Sequence, residues 1–354
     1  MRKKYIDNLR WICVLLLFFY HTFMIYNSFG ENFYIKGESI KATTTFIIVT
    51  WPWFMPLLFT IAGISTAYAL QKRSVEVYLK ERIAKLLVPL IAGILILIPA
   101  QTYFAERFHN SYTGGYFTQY ISFFTKQTDL TGYTGGFTPG QLWFVLYLFV
   151  ISLSSIPFIL ILKNVKIKSG MGKIPVLAIL CMFILPLLGT LVLNISGKSV
   201  GEYFAYFMLG YVLLSNENVQ QKLEKNRFKL LVIGLIGIIT IILWWYGILH
   251  LPNLVYDIFS RFYGWSMILA LLGMGRKYLD TKSRFTDYMS YSSFSVYLFH
   301  QTWVVVSAYY AFLLTNHAFI QMVIILLFSV LLTFASHEIF RKNKITRFLF
   351  AIKK

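Results

Sequence analysis

The stretch RWICVLLLFFYH, residues 10–21, sets an arginine and a histidine at the ends of ten residues, eight of them aliphatic or plain aromatic. The run continues apolar as TFMIY, which makes it long enough to cross a bilayer as a helix. Arg10 and His21 are eleven positions apart. At 100° per residue they share one helix face, about 20° past three full turns, and at 1.5 Å rise they stand roughly 16 Å apart along the axis. That is about half the hydrocarbon thickness. One face therefore carries a cation near one boundary and an imidazole near mid-depth.

The rest of the chain repeats the apolar theme. Of 354 residues, 57% are hydrophobic and 13% charged, too little charge to cover a soluble domain of this length. Apolar runs of helical length recur, and the short alternating segments of a β-barrel do not. The sequence predicts an all-α polytopic membrane protein of about ten spans, at 8–28, 45–70, 83–104, 141–162, 174–195, 201–215, 229–250, 255–274, 291–314 and 318–339. The sixth is short, and Arg261 interrupts the eighth. MRKK before the first run imitates a secretory leader. The length of that run, the two polar residues inside it and its end in MIYNSFG make it a retained span instead.

The net charge of +19 would suit nucleic acid, but the basic residues sit in short patches between apolar runs. With a cytoplasmic N-terminus, 26 of the 33 basic residues fall in inside segments and five (Lys36, Lys41, Arg107, Lys126, Lys198) outside, leaving Arg10 and Arg261 within spans. The inside set includes Arg2, Lys163, Lys166, Lys168 and Lys354. This alternation predicts both termini in the cytoplasm and a lipid bilayer as partner, with no nucleic acid. Cys13 and Cys181 both lie in apolar runs, and no His/Cys cluster suggests a metal. No internal repeat or linker is visible, so residues 1–354 read as a single membrane domain. The longest outside loop, 105–140, has the glycine-rich core GYTGGFTPG, which predicts turns and marks a loop of functional length.

Several residues could carry chemistry. Arg10 alone reads equally as a cation snorkelling to headgroups. His21 is harder to place structurally, because a polar group buried in a span needs a partner and is a functional hypothesis by default. His300 and Gln301, in SVYLFHQTW, sit near mid-depth of the ninth span. Arg82 and Lys85, three apart in KERIAKLLVPL, are either cytoplasmic anchors or a phosphate clamp. Gly63 and Ser65 fit close helix packing or ligand approach. Gln141, Trp143 and Tyr147 lie at an outer boundary, as an aromatic belt or an acceptor platform. Arg261, Asp257 and Tyr263 would bind an acceptor or pair with one another. His337 and Glu338 lie near the inner end of the last span.

Laid out in order, the Arg10–His21 spacing, FTIAGIS, ERIAKLLVP, QLWF and SVYLFH resemble the acyltransferase type 3 family of integral membrane O-acyltransferases over essentially the whole chain. IDNLRW, RIAKLLVP and LWF look most like the branch that includes the glucan succinyltransferases. The resemblance implies a transferase that moves an acetyl or succinyl-type group from cytoplasmic acyl-CoA, a co-substrate and not a bound cofactor, to a hydroxyl of an extracytoplasmic carbohydrate. With the helix geometry it implies that Arg10, Arg82 and Lys85 meet the donor phosphates and that His21 is the general base. His300 would orient His21 or assist the leaving thiolate. Gln141, Trp143, Ser65 and Arg261 would line the substrates. Glu202, Asp257 and Glu338 are the candidate carboxylate partners of His21. A homo-oligomer is compatible with this reading. The abundance of Ile, Lys, Phe and Tyr hints at an AT-rich bacterial genome, and the expected location is a bacterial-type plasma membrane. A proton-coupled transporter or flippase and a non-catalytic partner in polysaccharide assembly are the rival readings. The first lacks an inverted repeat and a ladder of intramembrane carboxylates.

Overall fold

The computed structural model describes residues 3–29, 33–128, 130–164, 171–195 and 197–353. Among the basic positions counted above, Arg2, Lys166, Lys168, Lys354 and the side chain of Lys163 lie outside the described residues. The chain is all-α. Its helices are α1 Lys4–Met24, α2 Lys41–Leu70, α3 Val75–His109, α4 Tyr116–Thr125, α5 Trp143–Asn164, α6 Val176–Gly189 and α7 Val200–Leu214. They continue with α8 Glu217–Lys225, α9 Arg227–Trp245, α10 Asn253–Tyr278, α11 Arg284–Leu314, α12 Ala318–Phe340 and α13 Lys344–Leu349. The described strands are a two-residue antiparallel pair, Asn194–Ile195 with Lys198–Ser199.

Among the described residues, seven helices (α1, α2, α3, the α5 segment, α9, α10, α12) are long and apolar enough to cross a membrane, as a polytopic membrane protein requires. The expected fifth and sixth spans are the shorter apolar helices α6 and α7. The expected ninth is α11, 31 residues long but rich in serine and tyrosine.

The chain divides into two compact units, each built from three separate segments. The first comprises Met1–Cys13, Ile48–Arg82 and Tyr147–Ser290. Here α2 and α7 touch backbone to backbone. A Cβ on Gly63 would lie 1.9 Å from the Phe207 carbonyl oxygen, and one on Gly210 would lie 2.2 Å from that of Thr60. Only glycine permits this approach. Beside it, Ala67, Leu70, Tyr78, Ile156, Ile159 and Tyr211 form an apolar core. The amphipathic α8 buries Val219 and Leu223 and is tied to α10 through Arg276, which pairs with Glu217 at 2.6 Å and Glu224 at 2.9 Å. Lys3 also reaches Glu217, at 2.9 Å.

In the same unit α1 starts at Lys4, four residues before the expected span. Its first turns dock on the end of α10, where Asn8 Nδ2 donates to the carbonyls of Leu279 at 2.6 Å and Thr281 at 3.0 Å. These serve carbonyls that a helix end and its exit loop leave without intrahelical partners. Asp280 accepts from the Tyr5 amide, and Lys4 pairs with Asp287. The motif IDNLRW thus has a structural role besides that of its arginine.

The second unit comprises Val14–Ile47, Ile83–Leu146 and Tyr291–Lys354. Its loop 25–40 folds back through Gly37 N–Ile25 O and Ile40 N–Tyr26 O hydrogen bonds, burying Phe33, Tyr34 and Ile35. The outside loop expected at 105–140 is partly helical. Helix α3 runs on to His109, and α4 forms before the glycine turns. Gly132 and Gly135 there take φ of +79° and +77°, as the turn reading requires. A π turn over Ile83–Leu87 interrupts the regular spacing of α3.

Candidate functional site

Two constellations contain most of the residues singled out from sequence. One lies in the second unit. His21 projects from α1, its ring centroid 5.2 Å from that of His300 on α11, with the planes tilted by 37°. Phe33 stacks on the other side of His21 at 5.9 Å and 13°. Phe33 is itself fixed by its carbonyl, which accepts from His109 Nε2 at 2.8 Å. His300 is fully buried, with Phe18 edge-on at 5.8 Å. Its Nδ1 donates to the Tyr297 carbonyl at 2.6 Å. Among the described residues, His21 Nδ1 and His300 Nε2 are shielded and have no hydrogen-bond partner in the protein. Such groups are expensive to bury without a partner, and a functional role is one reason for retaining them.

Beside this pair lies a buried polar cluster. Gln101 Nε2 donates to Gln141 Oε1 at 3.0 Å and to Thr302 Oγ1 at 2.8 Å. Gln101 Oε1 accepts from Gln301 Nε2 at 3.3 Å. Gln141 Nε2 donates to the Leu298 carbonyl at 3.0 Å, and the Tyr297 hydroxyl donates to the Gln141 carbonyl. Gln141 is 4% exposed and bonds to the α11 backbone two residues from His300. Trp143 is half-buried, edge-on to Phe144. Lys85 lies in the π turn of α3.

The other constellation lies in the first unit. Arg10 Nη2 donates to Ser65 Oγ at 2.8 Å, and Nη1 pairs with Asp7 at 3.1 Å. Asp7 is 6% exposed and Arg10 30%, so the carboxylate is enclosed and the guanidinium is partly open. Arg82 stacks over Tyr78 at 4.7 Å, and Tyr78 bonds to Thr66, the neighbour of Ser65. Arg261 pairs with Asp257 at 3.0 Å and approaches Glu202 at 3.6 Å. Tyr263 is buried and donates to the Val49 carbonyl.

The candidate carboxylates are thus engaged elsewhere. Glu202 and Asp257 face Arg261, and Glu338 pairs with Arg341 at 2.8 Å. Among the described residues, no carboxylate comes within ion-pair distance of His21.

Sequence reasoning placed Arg10 and Ser65 on different spans, and the structure joins them. It placed His21 and His300 likewise, and they meet. It missed Asp7, Gln101, Thr302 and Phe33. Asp7 sits three positions before Arg10, a helical pair spacing, and Gln101 is a lone amide after the apolar run ILIPA. Phe33 gave no signal, because its role depends on how a loop closes.

No curated protein and no solved structure matches the chain. The acyltransferase type 3 model, described as an acyltransferase domain, matches residues 3–338. That range holds both constellations and runs from the first turn of α1 nearly to the end of α12. The chain therefore belongs to the acyltransferase type 3 family, and is a multi-pass membrane acyltransferase.

Proposed function

We propose that the chain moves an acetyl or succinyl-type group from acyl-CoA on the cytoplasmic side to a hydroxyl of a carbohydrate on the other side. All of residues 1–354 would serve as one catalytic domain. The observation that carries this reading is the pair of polar groups on α1. A partly open arginine is braced by Asp7 and Ser65, and a histidine is enclosed by His300 and Phe33 on the same helix. Arginine suits a phosphate because its planar fork bonds two oxygens at once. Arg82 and Lys85 would add charge for the donor phosphates. A histidine with an ordinary pKa of about 6.5 is largely neutral at pH 7 and can serve as general base.

The chemistry follows from these placements. His21 takes the proton of the acceptor hydroxyl as its oxygen attacks the thioester carbonyl. The C–O bond forms and the C–S bond breaks. The proton then passes from the imidazolium to the departing thiolate. Gln141 and Trp143 would face a hydroxyl-rich acceptor, with Gln101, itself bonded to Thr302, holding Gln141 in place. The termini would face the cytoplasm of a bacterial-type cell.

The test uses purified protein in nanodiscs. CoA, acetyl-CoA and succinyl-CoA are titrated and the thermal midpoint is followed for wild type, Arg10→Ala and His21→Ala. A donor should stabilise wild type. Arg10→Ala should lose the shift and His21→Ala should keep it while losing turnover. If no CoA compound shifts wild type at millimolar concentration, the donor assignment fails. Transport assays on the same preparation would then address the flippase alternative.

A further inference from the structure

A base of the serine-hydrolase kind needs a partner on its second nitrogen to fix its tautomer, and that partner is usually a carboxylate. Here the carboxylates weighed for the role are turned to arginines. His300 is the ring beside His21, with centroids 5.2 Å apart.

Its own tautomer follows from its hydrogen bond. A backbone carbonyl can only accept, so His300 Nδ1, 2.6 Å from Tyr297 O, carries a hydrogen. In the neutral ring Nε2 is then a lone pair. That atom is buried without a partner, as is Nδ1 of His21, in rings whose centroids are 5.2 Å apart. His21 Nε2 is not among the shielded atoms. We propose that His300 is a positioning residue that presents a neutral acceptor to His21 Nδ1–H, directly after a small rotation or through one water. His21 is thereby held with Nε2 as the basic nitrogen.

The bookkeeping of protons is closed. The hydroxyl proton goes to His21 Nε2 and onward to the thiolate. The Nδ1 proton stays on His21, shared with His300 Nε2 while the imidazolium exists. His300 keeps its own proton on Tyr297 O. Apo hydrogen bonds of this type are often long and tighten in the complex. The second link of the device is Gln141. Its side chain bonds Leu298 O and its carbonyl receives the Tyr297 hydroxyl, so it fixes the turn of α11 that orients His300.

This inference rests on His21 being the base, and the experiment separates the two. Glutamine places a neutral acceptor near the position of Nε2, asparagine near that of Nδ1, and leucine places none. Turnover of His300→Gln, His300→Asn and His300→Leu is compared with wild type and His21→Ala, using acetyl-CoA or succinyl-CoA and CoA release, with thermal melts as a folding check. His300→Gln should retain kcat within about tenfold. His300→Asn and His300→Leu should lose about a hundredfold or more in kcat, with donor KM within about threefold. Equal losses in all three variants, or losses confined to KM, would overturn the positioning role and leave His300 a packing residue. Wild-type-like turnover of His21→Ala would instead remove the base assignment itself.

Discussion

At the scale of single residues, the guanidinium of Arg10 engages a carboxylate and a hydroxyl through different nitrogens. Lysine is a point charge and cannot reproduce that fork. Arg10→Lys should raise donor KM about tenfold or more, equivalent to ~1.4 kcal/mol. Ser65→Ala removes one hydrogen bond and should raise it about fivefold. Steady-state kinetics of CoA release measures both. Glu217 makes a different kind of prediction. Its hydrogen bond from Arg276, with a further one from Lys3, lowers its pKa from 4.5 to about 2. A carboxyl with a depressed folded value stabilises the fold above its unfolded pKa and loses that contribution as pH falls towards the folded one. The thermal midpoint of wild type should therefore exceed that of Glu217→Gln at pH 7, and the gap should shrink progressively below about pH 4.5 and close near pH 2. A gap that stays constant between pH 7 and pH 3 would refute the linkage. Arg10 and His21 were legible in the sequence because each is a charge-bearing group where the surroundings offer it none. Asp7 and Gln101 carried weaker signals of the same sort. Phe33 carried none, since one phenylalanine among 33 acquires meaning only from the ring it stacks on.

At the scale of elements, the α2–α7 contact is the most exacting. The Gly63 and Gly210 positions sit against carbonyl oxygens of the facing helix, which cannot move aside as a flexible side chain would. Gly63→Ala and Gly210→Ala should each destabilise by about 1–3 kcal/mol. Thermal or denaturant melts in detergent would show it, and the double variant should fall short of the sum because either change already opens the crossing. FTIAGIS suggested this packing, because a small residue stood out among bulky ones. Helix limits were less readable. Hydropathy placed the third span at 83–104, whereas α3 runs from Val75 to His109. Helical hydrogen bonding continues through charged residues such as Lys80, Arg107 and His109, which a hydropathy window discards. The loop helix α4 escaped notice for a related reason. Ten residues, YFTQYISFFT, are too few to span, and their aromatic content reads equally as extended chain. The basic tail also proved more than a charged end, since Phe350 is buried against Phe299 and Phe340.

At the scale of the whole molecule, the all-α membrane class was legible from composition and from the distribution of positive charge between apolar runs. The division into two units was not, because each is assembled from three stretches far apart in sequence. Such assembly is a matter of tertiary packing that periodicity does not encode. The orientation can be tested with a Cys181→Ser background, because Cys13 is buried and Cys181 exposed. Thr113→Cys, in the α3–α4 loop, should react with an impermeant maleimide on intact cells. Lys282→Cys, between α10 and α11, should react only after permeabilisation. The reverse pattern would invert the topology. The hydrogen bonds of Asn8 have a consequence in time. Asn8 leaves the ribosome well before its partner Leu279, which lies 271 positions later. At about 5–20 residues per second, tens of seconds pass before that partner exists. Through that interval the segment bearing Arg10 lacks this anchor. A nascent chain stalled before residue 279 already contains Arg10, Asp7 and Ser65 but lacks the anchor of Asn8, so on the proposed donor role of Arg10 it should bind donor more weakly than the full chain.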